Sequence, residues 1–156
     1  MLAGKGKYRL FTDADGATPI EELERLFKAV IIGRADVAVG SRARPSEECL
    51  VQGSLHRKML GGCFNFIVRS LCVKGIRDTQ CGFKLFTEDI VNRVFPKLTV
   101  DGFGFDVEIL YLSKRSGFAV AEVPVNWHDV KGGKVNVVTD SFRMLSDVVK
   151  VMLRHY

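Results

Sequence analysis

The sequence predicts an α/β sandwich, and three observations carry that expectation. Short apolar runs of strand length alternate with stretches whose apolar residues recur at helical spacing. The 156 residues are 47% hydrophobic and 26% charged, enough for one domain with a real core and unlike a disordered chain. The first run, Tyr8-Arg9-Leu10-Phe11-Thr12, ends directly in Asp13-Ala14-Asp15. α/β folds keep their ligand sites in such loops, at the carboxyl ends of strands.

The first strand is expected at 7–12. Gly16 allows a tight turn, and Thr18-Pro19-Ile20-Glu21 reads as a capping box with proline at the first helical position. The helix 18–32 then places Ile20, Leu23, Leu26, Phe27, Val30 and Ile31 on one face. Asp36-Val37-Ala38-Val39-Gly40 is a short buried-type strand that leaves through a basic loop, Ser41-Arg42-Ala43-Arg44-Pro45. A long helix over 54–73 carries Leu55, Met59, Leu60, Phe64, Ile67, Val68 and Leu71, with Gly61-Gly62 marking close packing or a bend. Residues 76–80 form a loop and 82–86 a strand, with Thr87 capping a helix at 88–95. Helix 105–115 presents Val107, Ile109, Leu110 and Leu112. Phe118 to Trp127 is one strand, its outer half placed at a sheet edge by Val123-Pro124-Val125. A Gly/Lys loop, His128 to Lys134, leads to a C-terminal helix near 140–154. That helix mixes an apolar face with Lys and Arg, and reads either as a membrane-surface helix or as one packed on the sheet. An α/β nucleotide domain ordinarily begins with a strand and a base-holding loop. Here the first strand already carries the carboxylates, so the pattern reads as a compact domain with an unusual start or as the second half of a larger one.

A net charge of +5 permits an anionic partner without choosing one. Nucleic-acid binding is not expected, because the aromatics are not interleaved with Lys and Arg as a stacking platform needs. Cys49, Cys63, Cys72 and Cys81 show no Cys-x-x-Cys spacing and read as free thiols in a reducing compartment. No run approaches the 18 apolar residues of a membrane span, and the first residues lack the apolar core of a signal peptide.

A period of two places Asp13 and Asp15 on the same side of an extended backbone, where they repel unless a cation sits between them. Hard oxygen ligands suit Mg²⁺ or Mn²⁺ and leave room for a substrate diphosphate. On local pattern alone, a turn plus a helix cap explains the pair equally well. Arg42 leaves a strand end, and its fork suits phosphate oxygens. Arg57 and Lys58 read as solvated helix residues. Trp127 reads either as a cover on the site or as core, and His128 has no partner in the sequence that would make it catalytic. Asp106 reads as a helix cap.

Three blocks in order, Phe11-Thr12-Asp13-Ala14-Asp15-Gly16-Ala17-Thr18-Pro19, Val39-Gly40-Ser41-Arg42, and Arg77-Asp78-Thr79-Gln80-Cys81-Gly82-Phe83-Lys84-Leu85-Phe86, resemble the inverting family 2 glycosyltransferases that load sugars onto polyprenyl phosphates. Phe103-Gly104-Phe105-Asp106-Val107-Glu108 and Val123-Pro124-Val125-Asn126-Trp127 fit the same family, so the resemblance runs over about residues 3–155. It implies that residues 1–156 form the C-terminal part of a GT-A-like α/β/α sandwich, a single domain lacking the family's N-terminal anchor and uridine-holding half. It also implies transfer of glucose from UDP-glucose to dolichyl phosphate with inversion, at the cytosolic face of the endoplasmic reticulum membrane, in protein N-glycosylation. Gly16-Ala17-Thr18-Pro19 and Gln80-Cys81 favour glucose. A dolichyl-phosphate mannosyltransferase-like enzyme is the near alternative, and a non-catalytic form binding only metal and lipid phosphate is another. By the same resemblance Asp15 holds the metal, Mg²⁺ or Mn²⁺, with Asp13 assisting it or touching the donor. Arg42 holds a donor phosphate, Asp78 is the candidate catalytic carboxylate, and Arg77, Trp127 and Lys134 lie near the acceptor or its phosphate. Glu108 stands where such enzymes often carry an acidic residue near the acceptor.

Overall fold

The computed structural model describes residues 1–44, 46, 48–52, 73–102, 104–130 and 146–153. Strand β1 spans Tyr8–Thr12 and a 3₁₀ turn Ile20–Glu22 precedes helix α1, Leu23–Ile31. Strands β2 (Val37–Ser41) and β3 (Val51–Gln52) follow, then β4 (Phe83–Thr87), α2 (Glu88–Arg93), a 3₁₀ turn at Phe95–Lys97, and α3 (Phe105–Arg115). Strands β5 (Val120–Pro124) and β6 (Trp127–His128) come next, and residues 146–153 are helical. The helix expected over 54–73 lies outside the described residues up to position 72, as do residues 131–134 of the expected loop and both ends of the C-terminal helix.

The main sheet has the order β1-β4-β2-β5. β4 runs antiparallel to both β1 and β2, and β2 runs parallel to β5. Strands β1, β2 and β5 therefore point the same way, with β4 reversed between β1 and β2. The chain segments leaving β1, β2 and β5 and the segment entering β4 all gather at one end of the sheet.

Alternation along the strands feeds two cores. Val37, Val39 and Phe86 join Ile90, Val91, Val94, Val107 and Leu110 beneath α2 and α3. Ala38, Phe83 and Leu85 join Leu26 and Val30 of α1 on the opposite face. This is the period of two at work: β2 and β4 are buried on both sides, as their nearly unbroken apolar runs imply. Each fully buried branched or aromatic side chain contributes about 1.5–3 kcal/mol. The exception in β4 is Lys84, whose parity sends it into the α3 face with no exposure at all.

Several boundaries differ from expectation. The capping box does not form: Pro19 sits at the N-cap of the 3₁₀ turn and no side chain caps it. Ile20 falls in that turn, out of phase with α1, and Ile31 flanks the stripe in the last turn, so both are exposed. Thr87 does occupy the N-cap of α2, but its hydroxyl is buried without a hydrogen-bond partner. The strand expected over 118–127 ends at Pro124, on the edge strand of the main sheet as expected, where the missing N–H faces away from β2 and costs the ladder nothing. The Val125 N–H still donates to the Ser41 carbonyl, the last bond of the β2–β5 ladder, and Trp127–His128 then pairs with β3 in a separate two-stranded sheet. Of the expected free thiols, Cys81 is buried and Cys49 partly exposed, both unpaired; Cys63 and Cys72 are outside the described residues. Among the described residues no helix is long and apolar enough to cross a membrane.

Candidate active site

At the shared end of the sheet, Asp13 follows β1 and its N–H donates to the Gly82 carbonyl just before β4, at 2.8 Å. Its carboxylate lies over the Gly82 backbone. A methyl group at Gly82 would come within 1.9 Å of Asp13 Oδ2, so only glycine leaves the carboxylate its place. Asp15 turns the chain: its Oδ1 accepts the Ala17 N–H at 3.0 Å, and Gly16 takes φ +67°. Both aspartates are open to solvent. Partial burial against Gly82, then the charges of Asp106 and Asp15, raise the Asp13 pKa, while Lys84 and Arg42 pull it back. A carboxylate raised partly by neighbouring carboxylates gains from a cation beside it.

The loop after β2 delivers Arg42, and the loop before β4 delivers Asp78. The Asp78 carboxylate accepts three N–H groups of Arg42: the backbone N at 2.9 Å, Nε at 2.7 Å and Nη2 at 2.8 Å. Burial would raise the Asp78 pKa, but the Arg42 charge and these hydrogen bonds outweigh it and hold the carboxylate below its ordinary value. For Arg42, burial alone works downward and Asp78 more than reverses it. The Arg42 guanidinium also lies 5.5 Å from the Trp127 ring centroid, within cation–π range. A guanidinium has five N–H groups. Those not given to Asp78 make no hydrogen bond to a described residue, so Arg42 is fixed in orientation with donor capacity to spare.

A second carboxylate supports this loop. Glu122, in the middle of β5, accepts the backbone N–H groups of Arg77 and Asp78 through Oε1, both at 2.9 Å. Arg44 donates to the Glu122 carbonyl at 2.6 Å, which makes it part of the scaffold. Asn126 joins the remaining loops, donating to Glu22 Oε1 at 2.5 Å and accepting the Leu50 N–H at 2.7 Å. The Trp127 and His128 N–H groups bond the carbonyls of Leu50 and Ala17, so β6 closes over the Asp15 turn.

The buried Lys84 spans from sheet to helix. Its Nζ lies 2.5 Å from Asp106 Oδ1 and 2.6 Å from the Cys81 carbonyl. Burial pushes the Asp106 carboxyl up and Lys84 pulls it back. Asp106 is therefore not a helix cap; Gly104 holds that position, and Asp106 lies inside the first turn of α3. Glu108 is wholly buried and accepts the N–H groups of Thr99 and Val100 and the Thr99 hydroxyl, which ties a loop down rather than facing a ligand. Burial and the Asp78 charge push the Cys81 thiol up to about 12, which removes it as a nucleophile.

The fold thus brings Asp13, Asp15, Arg42, Asp78 and Trp127 to one edge. Arg77 is exposed on the adjoining loop, and Lys134 lies outside the described residues. Lys84, Asp106 and Glu122 were absent from the sequence-based site. Their one signal was a charged residue inside an otherwise apolar strand or at the buried start of a helix. Among the described residues no three His, Cys, Asp or Glu side chains are grouped to hold a metal. Asp13 and Asp15 nonetheless fit a cation that takes its other ligands from a diphosphate and water, because they are acidic, adjacent and open to solvent.

No family model matches the chain. It is 41% identical over 159 residues to dolichyl-phosphate β-glucosyltransferase of Dictyostelium discoideum and 39% identical over 160 residues to that of Homo sapiens. Each match covers 99% of this chain and 49% of the relative. The Saccharomyces cerevisiae enzyme of the same name is 36% identical, with 97% and 48% covered. The chain therefore spans about half the length of the curated relatives it matches. Among solved structures, glucosyl-3-phosphoglycerate synthase from Mycobacterium tuberculosis in complex with UDP superposes with a TM-score of 0.67 at 14% identity, over 96% of this chain and 50% of that one. The same enzyme with Mn²⁺, UDP-glucose and glycerol 3-phosphate gives 0.65 at 15% identity, over 96% and 50%. This likeness establishes a partial GT-A glycosyltransferase fold.

Proposed function

We propose that this chain, homologous along its length to one half of the dolichyl-phosphate β-glucosyltransferases, carries the metal and phosphate side of that activity. The reaction is transfer of glucose from UDP-glucose to dolichyl phosphate with inversion, releasing UDP and forming dolichyl β-D-glucosyl phosphate. The observation that carries the reading is the convergence of Asp13 and Asp15 with an Arg42 fork locked between Asp78 and Trp127.

Asp15 and Asp13 hold a Mg²⁺ or Mn²⁺ ion, which supplies charge neutralisation on the departing diphosphate. Arg42 offers its unused N–H groups to phosphate oxygens, in an orientation fixed before substrate arrives. The acceptor phosphate has a second pKa near ~6, so it is largely ionised at neutral pH and attacks the anomeric carbon without a general base. Asp78 accordingly acts through Arg42: with both oxygens engaged and its pKa depressed, it is a positioning residue rather than a proton acceptor. Trp127 covers Arg42 and excludes water from that side. Arg77 and Lys134 remain the candidates for the acceptor phosphate. Because the acceptor is a lipid, the site works at a membrane surface, the cytosolic face of the endoplasmic reticulum. The choice of glucose rests on the relatives' names.

The test is transfer of radiolabelled glucose from UDP-glucose to dolichyl phosphate in detergent micelles with Mn²⁺, comparing this chain with Asp15→Ala and Arg42→Lys. The reading predicts lipid-linked product from the chain, none from Asp15→Ala, and at least tenfold less from Arg42→Lys. Equal transfer by Asp15→Ala, or transfer undiminished by chelation of divalent cations, would overturn it.

A further inference from the structure

Lys84 is the one cation placed inside the apolar core of β4, and Asp106 meets it from α3. A buried ion pair is weak evidence for stability, since apolar residues of similar volume often fold as well or better. Its place in the fold suggests another use. Lys84 Nζ also holds the Cys81 carbonyl, one residue before the glycine on which the Asp13 carboxylate rests. Asp13 is in turn bonded to that glycine's carbonyl through its own N–H. Phe11, two residues before Asp13, packs edge-on against Phe105, the neighbour of Asp106, with ring centroids 5.2 Å apart. The start of α3 is thus pinned to β1 by an aromatic contact and to β4 by the ion pair, and both ties converge on the backbone beneath Asp13.

We propose that the Lys84–Asp106 pair positions the Asp13–Asp15 carboxylates for their cation, by fixing the Cys81–Gly82 backbone on which Asp13 lies. This rests on the reading of Asp13 and Asp15 as the metal ligands. Lys84 and Asp106 make no hydrogen bond to Asp13 or Asp15. They act through the loop, while their opposite charges offset each other at Asp13, so the pair contributes to cation binding without being needed for folding.

The experiment titrates Mn²⁺ alone into the chain and follows free and bound ion by electron paramagnetic resonance, with thermal unfolding measured alongside. The informative variant is Lys84→Met with Asp106→Leu, which replaces the pair by apolar volume and leaves no buried charge unpaired. Asp106→Asn alone and Asp15→Ala complete the set. The expected result is a double variant that unfolds within a few degrees of the parent, binds Mn²⁺ at least tenfold more weakly, and gives a bound-ion spectrum with altered line width. Asp15→Ala loses the binding. A folded double variant with parental affinity and spectrum overturns the positioning role while leaving the metal reading intact. Failure of the parent chain to bind Mn²⁺, or parental binding by Asp15→Ala, overturns the metal reading and the positioning role with it.

Discussion

Replacing Asp78 by alanine removes one partner of a buried ion pair and exposes how much of the site's architecture depends on it. The side chain of Asp78 is 1% exposed, whereas that of Arg42 is 32% exposed. Three N–H groups of Arg42 lose their acceptor. Breaking a buried pair costs about 3–5 kcal/mol when the remaining charge is stranded. Arg42 retains some access to water, which places the expected loss at the low end, about 3 kcal/mol. Urea unfolding at pH 7 reads this directly as a lower midpoint at unchanged slope. The pH dependence supplies a second check. The folded Asp78 pKa lies below the unfolded value of about 3.9. Its contribution is therefore present above that value and is lost as pH falls through the folded one. The gap between parent and Asp78→Ala stays constant from pH 7 to pH 5 and narrows below about pH 4. A loss under about 1 kcal/mol, the scale of an exposed pair, or a gap that widens on acidification, would refute the reasoning.

Three further outcomes follow from the same geometry. Gly82→Ala displaces the Asp13 carboxylate into another rotamer at a cost of about 1 kcal/mol, yet weakens Mn²⁺ binding at least tenfold; calorimetric unfolding and Mn²⁺ titration on the same sample separate the two effects. Because the Asp13 pKa is raised, proton competition for the cation begins at a higher pH than for an ordinary carboxylate, so Mn²⁺ affinity measured from pH 7 downward falls earlier than for an exposed aspartate site. Cys81, with its thiol pushed up to about 12, stays unlabelled by alkylating reagent at pH 8 in the folded chain while Cys49 is modified; peptide mass mapping distinguishes them.

The strands β1, β2 and β4 were legible because short apolar runs between turn residues have few other readings, and α3 because Val107, Ile109, Leu110 and Leu112 are all needed by the core. The carboxylates Asp13 and Asp15 were legible because they sit at a strand end. Their juxtaposition with Arg42 and Asp78 was only half so. Those two residues stood out separately, and nothing periodic joins positions 36 apart. The antiparallel insertion of β4 between β1 and β2 creates their contact, and strand order is not written in local pattern. Lys84, Asp106 and Glu122 stayed hidden for a related reason. A charged residue in a buried strand reads as a blemish until its partner arrives from another element. Pro124 shows the reverse case: it marked a sheet edge, and β5 is indeed the outer strand of the main sheet, but it did not show that the strand ends there.

The central claim is that Asp13, Asp15 and Arg42 hold a divalent cation and a nucleoside diphosphate together at the end of the sheet. Isothermal calorimetry of UDP binding to this chain, with and without Mn²⁺, tests it most directly. The account predicts saturable binding that requires Mn²⁺, disappears in Asp15→Ala and weakens at least tenfold in Arg42→Met. Binding of equal strength without the cation, or unchanged by both substitutions, would contradict it.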